Sequence, residues 1–73
     1  MKIADLEMDV ESKKLLSLCA VKKDIYYLCG VLNKSYPTIL QRVNILTSMG
    51  FLEKTKIPQD HKFYYVLSKE YEI

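Results

Sequence analysis

Cys19, Cys29 and His61 are the side chains of this chain most suited to metal binding or nucleophilic chemistry. The two cysteines lie ten residues apart, wider than the CxxC pairs of zinc ribbons and redox sites, and no second His or Cys pair completes a tetrahedral site. His61 follows Asp60, and no serine or cysteine stands at a spacing that suggests activation. The sequence therefore predicts no catalytic residue, no metal ion and no cofactor. We interpret both cysteines as reduced structural thiols, with a Cys19–Cys29 disulfide as the alternative for a hyperthermophilic source.

A different chemistry is suggested by residues 25–52, which contain no aspartate or glutamate. At about 100° per residue, Ile39, Val43 and Leu46 fall on one helix face, and the opposite face is short-chained and uncharged. Uncharged donors and acceptors suit the base edges of a DNA major groove, where carboxylates would meet phosphates. The candidate functional face carries Pro37, Gln41, Asn44 and Ser48.

Helical spacing and capping residues divide residues 12–50 into three predicted helices. The first runs from Ser12 to about Ala20, because its apolar residues follow the i, i+3, i+4 spacing of one face. Asp24 is placed to cap the second helix, and Asn33 is placed to end it in the left-handed conformation.

The third helix is predicted to lead directly into a β-hairpin. Ser35 is its N-cap, Pro37 occupies its first turn, and Gly50 terminates it. Two segments rich in β-branched and aromatic residues, 51–57 and 62–68, then flank a four-residue connection of hairpin length. The inward face of the second strand is predicted to carry Phe63, Tyr65 and Leu67, with Tyr64 covering the other face.

The first eleven residues alternate acids with apolar side chains. They fit either an edge strand or a helix that continues into Ser12, and we favour the helix. They carry a net charge of −3, whereas residues 22–62 carry +4, an asymmetry that supports a polyanionic partner. A compact core of this size does not need their apolar set, so we expect it to pair with a second copy of the chain. That set is Ile3, Leu6, Met8 and Val10.

Seventy-three residues allow one hydrophobic core, so we expect a single domain over residues 1–73. The composition, 49% hydrophobic and 27% charged, is that of a globular protein, and no apolar run is long enough to span a bilayer. Early acids exclude a signal peptide, so we expect a cytoplasmic protein. Three helices at 12–50 and a hairpin at 51–68 predict an α+β fold.

The segment from Asp24 to Ser68 resembles the winged helix-turn-helix core of MarR- and ArsR-type regulators, and of small winged-helix regulators of archaea, their viruses and plasmids. The most specific part runs from Ser35-Tyr36-Pro37-Thr38-Ile39 through Val43 and Leu46 to Met49-Gly50-Phe51-Leu52, and it is similar to a recognition helix that leads into the wing.

The resemblance implies sequence-specific binding of double-stranded DNA, in transcriptional regulation, within the host cytoplasm if the source is viral. We expect a homodimer, because one recognition helix reads only a few base pairs and useful specificity needs two half-sites. The resemblance does not extend to metal sensing, because the ArsR signature needs paired cysteines and this segment offers only Cys29.

The predicted contacts come from a recognition helix at about 35–49 and a wing at 54–62. Gln41 points most directly away from the core and can pair bidentately with adenine. Arg42 lies further round the helix, where it fits phosphate as well as guanine. The predicted base-reading residues are Thr38, Gln41, Arg42 and Asn44. The predicted phosphate contacts are Lys34, Ser35, Tyr36, Lys54, Lys56, His61 and Lys62.

A winged helix also serves as a protein–protein interaction module, and this is the alternative function. The acid-free recognition helix and the basic wing favour DNA over a protein partner. A hydrolase or transferase lacks any supporting set of residues, so we predict that the protein is not an enzyme.

Overall fold

The computed structural model describes residues 1–73 and contains three α-helices followed by a two-stranded antiparallel hairpin. This order confirms the predicted α+β architecture. A single 3-10 turn, Ile3–Asp5, precedes the first α-helix. The helices are α1 (Val10–Leu18), α2 (Ile25–Leu32) and α3 (Tyr36–Ser48), and the strands are β1 (Leu52–Ile57) and β2 (Lys62–Leu67).

The predicted caps of α2 are confirmed. The Asp24 carboxylate accepts a hydrogen bond from the Tyr27 backbone N–H at 2.8 Å, which satisfies one of the amides left without partners in the first turn. Asn33 ends the helix with φ of 55°, the left-handed conformation that a short polar side chain tolerates. The turn between α2 and α3 is therefore short.

The end of α3 follows the Schellman pattern expected around Gly50. Gly50 has φ of 86°, its N–H donates to the Thr47 carbonyl at 3.1 Å, and the Phe51 N–H donates to the Leu46 carbonyl at 3.0 Å. Ser35 stands at the N-cap as predicted, but its hydroxyl bonds with the Thr38 hydroxyl, 2.8 Å away, instead of a backbone amide.

The hairpin pairs Leu52 with Leu67 at its base and Ile57 with Lys62 at its tip, leaving four residues in the turn, as predicted. A further backbone pairing, which no local sequence pattern indicates, lies on the outer edge of β2. The backbone N–H of Lys23 donates to the Tyr65 carbonyl at 2.9 Å, and the backbone N–H of Tyr65 donates to the Lys23 carbonyl at 2.8 Å. This bridge fastens the wing to the connection between α1 and α2.

The core sits where the three helices meet the base of the hairpin. Tyr65 is buried as predicted, and Phe63 lies on the same face of β2, but Phe63 is 45% exposed and does not belong to the core. Tyr65 lies at the bridge to Lys23, whereas Phe63 lies two residues nearer the hairpin tip and opposite Lys56. The buried residues are Ile3, Ser12, Leu15, Leu16, Cys19, Ile25, Leu28, Ile39, Val43, Leu46, Leu52 and Tyr65.

The helix predicted over the N-terminal segment is absent. Residues near the two ends of the chain pair instead. The Ile3 N–H donates to the Glu72 carbonyl at 2.8 Å, and the Glu72 N–H donates to the Met1 carbonyl at 3.0 Å. Asp9 is extended, and α1 begins at Val10, two residues before the predicted Ser12. Backbone pairing with the C-terminal segment thus replaces intrahelical hydrogen bonds.

The interpretation of the N-terminal apolar set as spare surface is also wrong for three of its members. Ile3 is 3% exposed and belongs to the core, and Leu6 and Met8 pack against that core. Only Val10 is largely exposed. Ile3, Leu6 and Met8 therefore contribute to the hydrophobic core. None of the helices is long and apolar enough to cross a membrane.

Candidate nucleic-acid interface

The outward face of α3 has the uncharged character that its sequence predicts. Ile39, Val43 and Leu46 are buried, and the residues on the opposite side are all exposed. Among their side chains only that of Ser48 makes a hydrogen bond, from its hydroxyl to the Ile45 carbonyl at 2.7 Å. The exposed residues are Pro37, Gln41, Asn44 and Ser48.

Thr38 lies on the flank of α3 that faces the N-terminal segment. Its hydroxyl is bonded to Ser35, and together with Gln41 it borders a groove of about 440 Å³. Met8 and Asp9 form part of the wall of this groove. The face that could meet DNA therefore continues, on this side, into the N-terminal segment.

Arg42, predicted to contact DNA, is paired within the chain and does not project freely from α3. Its Nη1 donates to Asp9 Oδ2 at 2.7 Å and to Ser12 Oγ at 3.1 Å, and its Nη2 lies 3.2 Å from Glu11 Oε2. Hydrogen bonding from Ser12 and then from Arg42 holds the pKa of Asp9 below its ordinary value. The guanidinium is thus already paired within the chain.

Glu11 also reaches the turn before α3, where it lies 3.5 Å from the Lys34 ammonium. The sequence reasoning missed Asp9 and Glu11 as partners of Arg42 in α3 and of Lys34 before it. Their net negative charge and the basic middle of the chain were both visible, but the pairing needed the extended path of residues 6–9, which no local pattern indicated. The two acids reduce the positive charge at one end of the candidate interface.

The wing presents two lysines around one aromatic ring. The Lys54 ammonium lies 4.1 Å from the centroid of the Phe63 ring, and the Lys56 ammonium lies 5.8 Å from it. Lys62 lies at the start of β2, 3.6 Å from the Asp24 carboxylate that caps α2. The wing is therefore positively charged and is joined to the helical part by an ion pair.

The hairpin turn is braced from within. Asp60 accepts from the Lys62 backbone N–H at 3.0 Å and from the Tyr64 hydroxyl at 2.6 Å. The Tyr64 hydrogen bond lowers the pKa of Asp60, and the same bond raises the pKa of Tyr64. His61 adopts φ of 58° and remains exposed at the turn. Tyr64 is half-buried.

The cysteines lie in the fold as separate thiols. Cys19 is buried, and its desolvation raises the pKa of its thiol to about 11. Cys29 is half-buried, and no group of three or more His, Cys, Asp or Glu side chains is arranged to hold a metal ion.

No protein-family model matches this chain, and no curated protein matches it by sequence. Among solved structures, a double mutant of ZitR from Lactococcus lactis superposes with a TM-score of 0.82 and 13% identity, covering 92% of this chain and 47% of that chain. A single mutant of ZitR superposes with a TM-score of 0.82 and 13% identity. This match covers 90% of this chain and 47% of that chain.

The adhesin competence repressor AdcR from Streptococcus pyogenes superposes with a TM-score of 0.80 and 19% identity, covering 92% of this chain and 52% of that chain. AdcR and ZitR are MarR-family winged-helix regulators, not enzymes, and their similarity confirms the winged helix-turn-helix fold. The chain spans about half the length of these solved structures.

Proposed function

We propose that this protein binds double-stranded DNA in a sequence-specific manner and acts as a transcriptional regulator. The observation that carries the proposal is the outward face of α3, where Gln41, Asn44 and Ser48 are exposed and uncharged on a helix without a single acid. A helix exposed only to water has no need to exclude carboxylates. A helix placed in the major groove does, because phosphates line both edges.

Gln41 and Asn44 are the proposed base-reading residues at the centre of this face. Each side-chain amide offers one donor and one acceptor, which match the two groups that adenine presents in the major groove. Thr38 lies on the flank, where its hydroxyl is held by Ser35 and its methyl group remains suited to the methyl group of thymine.

The proposed phosphate contacts flank that face on two sides. Lys54, Lys56 and Lys62 provide the wing with cations, and His61 is exposed at its turn. Lys34, Ser35 and Tyr36 lie at the start of α3, whose unpaired backbone amides also attract phosphate. Phosphate contacts of this kind fix the register of a protein on DNA.

We assign Arg42 a different part from the one its sequence position suggests. A contact with base or phosphate would require its guanidinium to leave Asp9 and Glu11. We propose that Arg42 holds the N-terminal segment beside α3 in the DNA-free protein, and that phosphate competes with the two carboxylates for it.

We further propose a single cytoplasmic domain that acts as a homodimer, since two half-sites give the specificity that one recognition helix lacks. The dimer contact must lie outside Ile3, which is buried in the core. The resemblance to archaeal and viral regulators stays a prediction. No metal, cofactor or small-molecule ligand is part of the proposal.

Binding to random-sequence duplex DNA at increasing salt concentration tests the proposal directly. A DNA-binding protein loses affinity with a slope of about 0.9 in log–log units for each phosphate neutralised, because counterions are released. We expect a measurable negative slope that becomes smaller in the Lys54→Ala/Lys56→Ala variant. Absence of binding to duplex DNA at low salt would contradict the proposal.

A protein–protein interaction module is the second candidate, favoured by two exposed apolar residues. Ile45 and Met49 lie on the flank of α3 beside Met8 and border the same groove as Gln41. Exposed apolar side chains next to a groove are typical of protein contacts. Failure to bind duplex DNA would make this surface the better candidate.

A further inference from the structure

A second cleft, of about 400 Å³, lies between the start of α3 and the wing, and aromatic side chains line it. Tyr26 of α2 and Tyr36 of α3 have ring centroids 5.3 Å apart and planes inclined by 42°. Phe63 of β2 lines the same cleft. Tyr26 is 66% exposed, Tyr36 42% and Phe63 45%. Three large rings that are exposed together form a patch of the kind that marks a binding surface.

The charges around this cleft fit an anionic occupant. Lys54 and Lys62 line it, and the Lys54 ammonium lies over the Phe63 ring. Asp24 is the only carboxylate in the lining, and it is already engaged by the Tyr27 backbone N–H and by Lys62. An anion entering the cleft therefore meets the Lys54 ammonium, which has no carboxylate partner, and meets no carboxylate that is free of a partner.

We propose that this cleft binds single-stranded DNA, with bases stacked against Tyr36 and Phe63 and phosphates beside Lys54. Proteins that bind single-stranded nucleic acids combine exposed aromatic rings with cationic side chains. The rings stack against the unpaired bases, and the cations contact the phosphates. A duplex hides those faces within its own stack and presents only base edges, sugars and phosphates. The exposed rings are thus suited to a strand that is not paired.

This inference goes beyond the proposed function and does not depend on it. Duplex recognition by α3 uses groove-edge contacts from Gln41 and Asn44, neither of which lines the cleft. Tyr36, Lys54, His61 and Lys62 line the cleft and are also proposed duplex phosphate contacts. The tests therefore rest on the exposed Phe63 ring, which has no part in the proposed duplex contacts. The same chain could therefore bind both forms of DNA, or either one alone. Measurements with each form keep the two proposals separable.

The probe is a fluorescent thymidine homopolymer of about ten nucleotides, within the length that single-strand sites of other proteins cover. We expect saturable binding that weakens with salt and quenches tyrosine fluorescence, which the chain's 6 tyrosines and absence of tryptophan make easy to follow. An abasic strand of equal length and charge carries the phosphates without the π-faces. It should bind at least about fivefold more weakly, the lower end of stacking contributions.

Phe63→Leu and Phe63→Ala test the role of the ring. Phe63 is half exposed, so both variants should fold, and leucine keeps apolar volume while removing the π-face. Both should bind the thymidine strand at least about fivefold more weakly than the unchanged protein. Tyr27→Ala is the matched control, because Tyr27 is also 45% exposed but does not line the cleft.

Three results would overturn the inference: no binding of the thymidine strand at low salt, equal binding of the abasic strand, or an equal loss in Tyr27→Ala. Loss in Phe63→Ala with full retention in Phe63→Leu would also contradict stacking, because it would show an ordinary apolar contact. Binding of duplex DNA is measured separately, so failure of one proposal leaves the other standing.

Discussion

Arg42 Nη1 and Asp9 Oδ2 lie 2.7 Å apart, and this ion pair joins α3 to an N-terminal segment 33 residues away in the sequence. Glu11 takes the other side of the guanidinium and also reaches Lys34. The two acids occupy cations at the position where a DNA backbone would lie in the proposed complex. In the proposed complex these carboxylates would compete with phosphate for Arg42 and Lys34.

Neutralising these acids should strengthen DNA binding. In Asp9→Asn/Glu11→Gln the Arg42 and Lys34 cations become available, so affinity for random duplex should rise and the salt slope should steepen by about 0.9 for each new phosphate contact. The Asp9 side chain makes no capping hydrogen bond to α1, so α1 should be kept in this variant. Fluorescence anisotropy at several salt concentrations measures both quantities.

Glu7→Gln is the matched control, because Glu7 is an exposed acid of the same segment that forms no ion pair. It removes one charge without releasing Arg42 or Lys34. Equal gains per charge removed in the control and in the double variant would show that general electrostatics, and not the ion pairs, accounts for the effect.

The carboxyl of Asp9 should titrate below the ordinary aspartate value of about 3.9. Hydrogen bonding from Ser12 is the main cause, followed by Arg42, so Ser12→Ala should raise the pKa of Asp9 toward that value. Because the folded pKa is lowered, the stabilisation is present above the unfolded value and is lost as pH falls through the folded pKa. Carboxyl-carbon NMR titration measures the shift, and a normal pKa of Asp9 would refute the network.

Gly50 and Gly30 form a matched pair for testing the end of α3. Gly50 has φ of 86°, which an L side chain adopts only with strain, so Gly50→Ala should destabilise the fold by about 1 kcal/mol or more. Gly30 is helical and an added Cβ meets nothing within 4 Å, so Gly30→Ala should stabilise by about 0.5–1 kcal/mol. Thermal unfolding followed by circular dichroism measures the change in stability of each variant. Equal changes in Gly50→Ala and Gly30→Ala would contradict the assigned C-cap.

Cys19 should behave as a buried, unreactive thiol. Burial raises its pKa to about 11, so a disulfide reagent at mildly alkaline pH should modify Cys29 first. Cys19→Ser should cost about 1–3 kcal/mol in urea unfolding, because the new hydroxyl has no partner in the core. Cys29→Ser, at a half-buried position, should cost less. Faster modification of Cys19 would show that α1 opens readily.

Local signals predicted the helices and the hairpin because each is set by nearby residues. Asp24, Asn33 and Gly50 fix helix ends through their own backbone and side-chain preferences, which sequence shows directly. The hairpin followed from two β-rich segments and a connection of four residues. The uncharged face of α3 followed from helical periodicity in the same way.

The N-terminal segment and its ion pairs could not be predicted, because they depend on contacts between distant residues. Alternating acids and apolar residues fitted both helix and strand, and the deciding interaction was the pairing of Ile3 with Glu72 at the other end of the chain. The bridge between Lys23 and Tyr65 is equally non-local. Arg42 was therefore assigned to DNA by its position on the helix, without knowledge of its carboxylate partners.

A preferred duplex site can be selected from a random library, and the affinities of two variants for that site show whether α3 reads DNA sequence. Gln41→Ala should lose roughly 1–3 kcal/mol of binding free energy on the selected site and almost none on a scrambled site, because the Gln41 side chain is proposed to contact a base. Lys56→Ala should weaken both and lower the salt slope by about 0.9, because its contact is with phosphate. Failure to recover any preferred site, or equal affinity of Gln41→Ala and the unchanged protein for it, would contradict DNA reading by α3.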